Sequence, residues 1–333
     1  MPYFATSAAI GAMLGAAALW VQHRSRKAEH DNPPQGRFVE IDGVRLHFVE
    51  CGQGEPLVLF HGQGSMIQDF AASGLIDLAA KHYRVIVFDR PGYGHSDRPR
   101  STIWTPAAQA ALFHAALTKL GVSRAIVLGH SWGASVAVAF ALKYPAAVSA
   151  LVLVSGYYYP TVRADVALQS GPAVPIIGDL LRYTISPLLA RLAWPRITRK
   201  IFGPAAIPAR FAMFPVAMAL RPGSLRASAA EAALMIPDAA ALKQHYPELK
   251  MPVVIVAGAD DKLVTTERQS ARLHREVPQS TFRPLRGAGH MIHHTAPDYV
   301  LAAVHEAASG RKKVETEADT NLSVVPAAMA AGS

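Results

Sequence analysis

Five short apolar runs, separated by long segments, constrain the fold more than anything else in the sequence. They are PLVLF (56–60), RVIVF (84–88), AIVLG (125–129), ALVLVS (150–155) and PVVIVA (252–257). The runs are continuous rather than alternating, the pattern of strands covered on both faces of a parallel sheet. Between them lie Ala/Leu-rich stretches of helical length, such as 104–120 and 132–143. Alternation of strand and helix predicts an α/β architecture with a parallel sheet. Upstream, FVEID (38–42) and RLHFVE (45–50) meet around Gly43 and read as a hairpin. The rhythm breaks once, between Ser155 and Met251, where prolines recur from Pro160 to Pro237. Proline at that density is expected to cut helices into short pieces, so 157–250 reads as a helical insertion over one end of the sheet.

Composition narrows the class. Of the 333 residues 51% are hydrophobic and 17% charged, and the mean hydropathy is +0.18. Disordered chains, coiled coils and collagen-like repeats do not combine so much apolar content with so little charge. The single cysteine, Cys51, excludes an internal disulfide framework and a cysteine-based zinc site. A net charge of +9 favours an anionic surface. The basic residues are scattered rather than set in a recognised module, which argues against nucleic acid.

Part of the hydropathy belongs to the N-terminus. Residues 3–21 carry no charge, and as a helix they would measure about 28 Å, close to the hydrocarbon core of a bilayer. Arg24, Arg26 and Lys27 follow at once, an order that suits an uncleaved anchor with the remainder of the chain in the cytoplasm. Ala16-Ala17-Ala18 offers the alternative of signal cleavage and export. Gly11 and Gly15 have the spacing of a weak helix-dimerisation motif. The expected organisation is a transmembrane anchor (1–22), a linker (23–37), a core (38–156 and 251–309), a helical cap (157–250) and a disordered tail (310–333).

The chemistry gathers around Gly129-His130-Ser131-Trp132-Gly133, a G-x-S-x-G that ends an apolar strand and opens a helix. That setting is a nucleophile elbow, where glycines flank the serine because side chains there would collide. A serine hydroxyl needs a base, and the base an orienting acid. Downstream, PVVIVA runs into Gly258-Ala259-Asp260-Asp261, and His290 sits in the Gly-rich loop RGAGH. Near the N-terminal end of the core, His61-Gly62-Gln63-Gly64-Ser65 follows a strand, with residues small enough for amides to approach an oxyanion.

HGQGS (61–65), DRPGYGHSDRP (89–99), GHSWG, GADDKLV and GAGH, in this order, resemble the α/β-hydrolase superfamily over residues 38 to about 308. The resemblance implies an eight-stranded, mostly parallel sheet with a cap inserted after the sixth strand. It implies Ser131 as nucleophile, His290 as base, and the amides of Gln63 and Trp132 as oxyanion hole. Asp261 fits the family spacing G-x-x-D-x-x-V from Gly258, whereas Asp260 falls one position short. His293 and His294 are expected as solvent-exposed or helix-start residues, His61 as a structural brace, and Asp89, Arg90, Gly92 and Gly94 as a loop behind the site. Neither cofactor nor metal is expected. A serine at the elbow speaks against dehalogenase and epoxide-hydrolase relatives, and Met291 after the histidine weakens a C–C bond hydrolase. The expectation is a carboxylic ester, thioester or lactone hydrolase. Its small-molecule substrate is an acyl compound, lipophilic to suit a basic, apolar cap. Perhydrolase or haloperoxidase chemistry, or cleavage of a C–C bond, is the alternative within the fold, and a ligand-binding scaffold the alternative outside catalysis.

Overall fold

The computed structural model describes residues 2–161 and 170–323. Its eight strands form one sheet in the order β1-β2-β4-β3-β5-β6-β7-β8. They are β1 (Arg37–Ile41), β2 (Val44–Cys51), β3 (Glu55–Phe60), β4 (Tyr83–Phe88), β5 (Ala125–His130), β6 (Val148–Val154), β7 (Val253–Gly258) and β8 (Ser280–Leu285). Only β2 runs against its neighbours, and every pair from β4 to β8 is parallel. The β1–β2 hairpin turns on Asp42 and Gly43 at φ 50° and 77°, the left-handed pair that a tight two-residue turn demands.

The helices are α1 (Pro2–Asp31), α2 (Ile67–Ser73), α3 (Leu75–Ala79), α4 (Pro106–Lys119), α5 (Trp132–Lys143), α6 (Ile177–Tyr183), α7 (Ser186–Phe202), α8 (Val216–Ala219), α9 (Pro222–Leu242), α10 (Ser270–Glu276), α11 (Ile292–Thr295) and α12 (Pro297–Ser323). On one sheet face Val58, Phe60 and Phe88 pack with Phe113 of α4 and Phe140 of α5. On the other, Leu57, Leu59 and Val87 pack with Phe70, Leu75 and Val304 of α2, α3 and α12. Odd and even residues of β3 thus enter different cores, which is why its sequence shows no alternation.

The cap is inserted between β6 and β7, after the sixth strand. Two of its prolines do not break helices: Pro195 lies inside α7 and Pro237 inside α9. Pro187 and Pro222 sit in first turns, where the missing N–H costs nothing.

Both ends depart from expectation. Residues 23–31, read as linker, continue α1 without interruption. Val21 and Ala28 are buried, and Glu29 pairs with Arg221 of the cap at 2.6 Å. Among the described residues no helix is long and apolar enough to cross a membrane, which corrects the anchor expected over 1–22. Seven of residues 3–21 are alanine and two are glycine, so the run gains length without the transfer free energy of leucine or isoleucine. Gly11 and Gly15 are exposed on this helix. Helix α12 occupies 310–323 of the expected disordered tail, and 324–333 lie outside the described residues.

Candidate active site

Ser131 stands between β5 and α5 at φ 54°, ψ −120°. A non-glycine residue holds such a backbone only when its surroundings enforce it. Here the Ser131 amide donates to the Val154 carbonyl of β6 at 2.9 Å. A Cβ on Gly129 would collide with the Gly133 carbonyl, and one on Gly133 with the Phe60 carbonyl. The two glycines let helix and strand close on the serine.

His290 Nε2 lies 2.9 Å from Ser131 Oγ, and its Nδ1 lies 2.7 Å from Asp261 Oδ2. The other carboxylate oxygen of Asp261 accepts the amides of Leu263 and Val264 at 2.7 and 2.9 Å, which fixes its orientation. Asp260 turns away and accepts the Gly287 amide at 2.7 Å. The structure therefore brings Ser131, His290 and Asp261 together and leaves Asp260 shaping the loop before His290. With Nδ1–H donated to Asp261, Nε2 is left to accept the serine proton.

Trp132 is the first residue of α5, so its amide has no acceptor within the helix. Gln63 follows Gly62, whose backbone is so close to the nucleophile that an added Cβ would lie 3.1 Å from Ser131 Cβ. The Gln63 side chain donates to the Ser228 carbonyl of α9 at 2.6 Å, tying this turn to the cap.

The loop behind the site is held by Asp89 and Arg90. Asp89 accepts the Ile67 and His95 amides, each at 2.9 Å, and lies 2.7 Å from His47 Nδ1. A Cβ at Gly94 would overlap its carboxylate. Arg90, wholly buried, donates to the His61 and Gly62 carbonyls at 2.7 and 3.0 Å and to Glu231 of α9 at 3.0 Å. Burial pushes the Glu231 carboxyl up, but Arg90 outweighs it and holds the group below its usual range. His61 donates Nδ1–H to the Gly62 carbonyl at 2.8 Å and accepts the Arg90 amide at 2.9 Å. Burial, with Arg90 adding to it, lowers its pKa to about 4.

His293 and His294 begin α11 as expected but are buried, not solvent-exposed. Their Nε2 atoms lie 3.1 and 2.7 Å from the two oxygens of Asp69 in α2. His130, the variable residue of the elbow, places Nε2 3.1 Å from the His290 carbonyl. Asp69, His130 and His293 are the one group among the described residues that could hold a metal ion, their ligand atoms within 4.8 Å of one another. Both Asp69 oxygens already accept an imidazole N–H, so the cluster is a polar clamp between α2 and the His290 loop. The sequence reading missed Asp69 and Glu231. The available signal was an acid set among mostly apolar neighbours, in IQDFAAS and AAEAALM respectively.

The model of the alpha/beta hydrolase fold matches residues 55–297. The chain belongs to that family. Within it, a protein of Mycobacterium tuberculosis described as uncharacterized is 30% identical over 275 residues, covering 80% of this chain and 78% of its own. The 2-hydroxy-6-oxo-2,4-heptadienoate hydrolase of Pseudomonas putida is 26% identical over 271 residues, covering 78% and 91%. In fold, this α/β hydrolase is similar to the enol-lactonase of Burkholderia xenovorans, with a TM-score of 0.68 at 20% identity over 82% of this chain and all of that one.

Proposed function

We propose that this hydrolase cleaves a carboxylic ester, thioester or lactone through an acyl-enzyme on Ser131. The alignment of Ser131 Oγ, the His290 imidazole and the Asp261 carboxylate at 2.9 and 2.7 Å carries the reading. His290 takes the serine proton as the hydroxyl attacks the carbonyl, and Asp261 stabilises the imidazolium that forms. The amides of Gln63 and Trp132 receive the oxyanion, and water then attacks the acyl-enzyme with His290 as base. The cap also carries an open groove of about 400 Å³ lined by Trp194, Phe211, Phe214 and Val216 among others, none of them a triad residue, and its apolar lining suits a lipophilic substrate.

The similarity to the P. putida hydrolase supports a second reading, cleavage of a C–C bond in a 2-hydroxy-6-oxo-dienoate. Against it, Met291 follows His290. A panel of esters, thioesters, lactones and one such dienoate, assayed on the purified protein, separates the two. Ester turnover with no dienoate cleavage supports the first reading, and the reverse order selects the second. A fluorophosphonate probe should label Ser131. Ser131→Ala should abolish labelling and lower ester kcat on the order of 10³-fold or more. Full activity in that variant excludes the serine mechanism.

A further inference from the structure

Helices α6 and α7 leave a row of large apolar side chains in solvent. Ile176 is 81% exposed, Leu192 79% and Ile177 62%, and Leu180 and Leu189 are more than half exposed. Large exposed apolar patches of this kind mark interaction sites in globular proteins. The patch does not end with the cap. Trp20, Val21 and Arg24 of α1 share a cleft with Pro187 and Arg191 of α7, and Leu19 beside them is 69% exposed. Residues 19–24 of α1 therefore lie beside the same apolar face.

Charge selects the occupant. Helix α7 carries Arg191, Arg196, Arg199 and Lys200 and no acidic residue. The acid nearest in α6, Asp179, is occupied by Arg100 and Arg182. Arg24, in the same cleft as Trp20, adds a further cation, its guanidinium 5.8 Å from that ring. Apolar side chains bordered by Arg and Lys, with aromatic Trp20 at the margin, are the composition of a surface that settles into lipid headgroups. A second copy of this chain would bring the same cations against themselves, a like-charge contact that opposes association.

We propose that α6, α7 and residues 19–24 of α1 form a docking face for an anionic lipid bilayer, lying on it without crossing it. The proposal deepens the lipophilic-ester reading and rests on it for its purpose. Trp194, which lines the apolar groove of the cap, is on the same helix as the docking residues of α7. The far end of that helix touches the His290 loop, where the Ile201 carbonyl accepts the His290 amide at 3.0 Å. A chain leaving the bilayer would thus meet one helix from the lipid surface to the site.

The test uses the full-length purified protein in co-sedimentation with vesicles of phosphatidylcholine alone or mixed with phosphatidylglycerol. Binding to the anionic vesicles should be at least about tenfold tighter and should weaken as salt is raised. The double variant Leu189→Glu/Leu192→Glu should lose about tenfold or more of that affinity, and both positions are exposed, so the fold has no need of them. A second variant, Arg191→Gln/Arg196→Gln, should lower affinity for anionic vesicles and flatten its salt dependence. Both should hydrolyse a soluble short-chain ester as the parent does. Equal affinity for the two vesicle types, or unchanged binding in both variants, overturns the proposal. So does a dimer in sedimentation equilibrium that Leu189→Glu/Leu192→Glu dissociates, since a second copy would then cover the face. Vesicle binding is read without turnover, so failure of the hydrolase reading would appear separately, as absent labelling of Ser131.

Discussion

At the scale of single residues, the site separates two adjacent carboxylates by what each accepts. Asp261 faces the imidazole and Asp260 a loop amide. Asp261→Asn should therefore lower kcat by about 10⁴, through loss of the required tautomer, while Asp260→Asn changes it far less. The reverse order in steady-state kinetics would make Asp260 the acid. Protonation gives a second residue-scale prediction. Burial depresses the pKa values of His61, His130 and His293. The folded state therefore binds fewer protons at these sites than the unfolded chain. Their contribution is intact above about pH 6.5 and is lost as pH falls through the unfolded value toward the folded one. For His61, with a folded value of about 4, the loss approaches about 3 kcal/mol. Asp69 adds a further loss only below about pH 4: burial raises its pKa, but His293 and His294 outweigh that and hold it well below the usual range. Urea midpoints should fall steadily between pH 6.5 and 4, less steeply in His61→Gln. A flat profile would mean these groups titrate alike in both states.

At the scale of elements, the cap is fastened to the core by groups that composition conceals. Arg90 and Glu231 are both fully buried, and removing one charge strands the other. Glu231→Gln should lower unfolding free energy by about 3 kcal/mol or more in chemical denaturation. An unchanged midpoint would show that Arg90 is satisfied by the His61 and Gly62 carbonyls and the Gln109 side chain. The central strands were legible because both faces are covered and every residue is apolar. β8 was not picked out as a run: STFRPL is half exposed and contains Pro284, which is tolerated at the sheet edge. The elbow was legible because its glycines answer to local sterics. The Asp69 clamp was not, because it spans over two hundred positions in sequence and depends on how α2 meets α11. Pro195 and Pro237 misled the reading for the opposite reason, since tertiary packing holds α7 and α9 together across them.

At the scale of the whole molecule, α1 has two parts with different roles. Residues 11–20 are largely exposed, whereas Val21 and Ala28 are buried and Glu29 pairs with Arg221. Deleting residues 1–19 should leave the melting temperature and short-chain ester turnover nearly unchanged. Deleting 1–31 should cost about 2–3 kcal/mol, chiefly the burial of Val21 and Ala28. Equal stability of the two truncations would show that α1 contributes nothing to the body.

The amides of His290 and Met291 both donate to the Ile201 carbonyl of α7, and Gly289 has no space for a side chain against the Phe202 and Gly203 carbonyls. The roof over the site and the proton acceptor beneath it are thus latched by the same backbone atoms. A substitution that shifts the C-terminal end of α7 should therefore register in turnover as well as in substrate binding, because it displaces the backbone that carries the His290 imidazole.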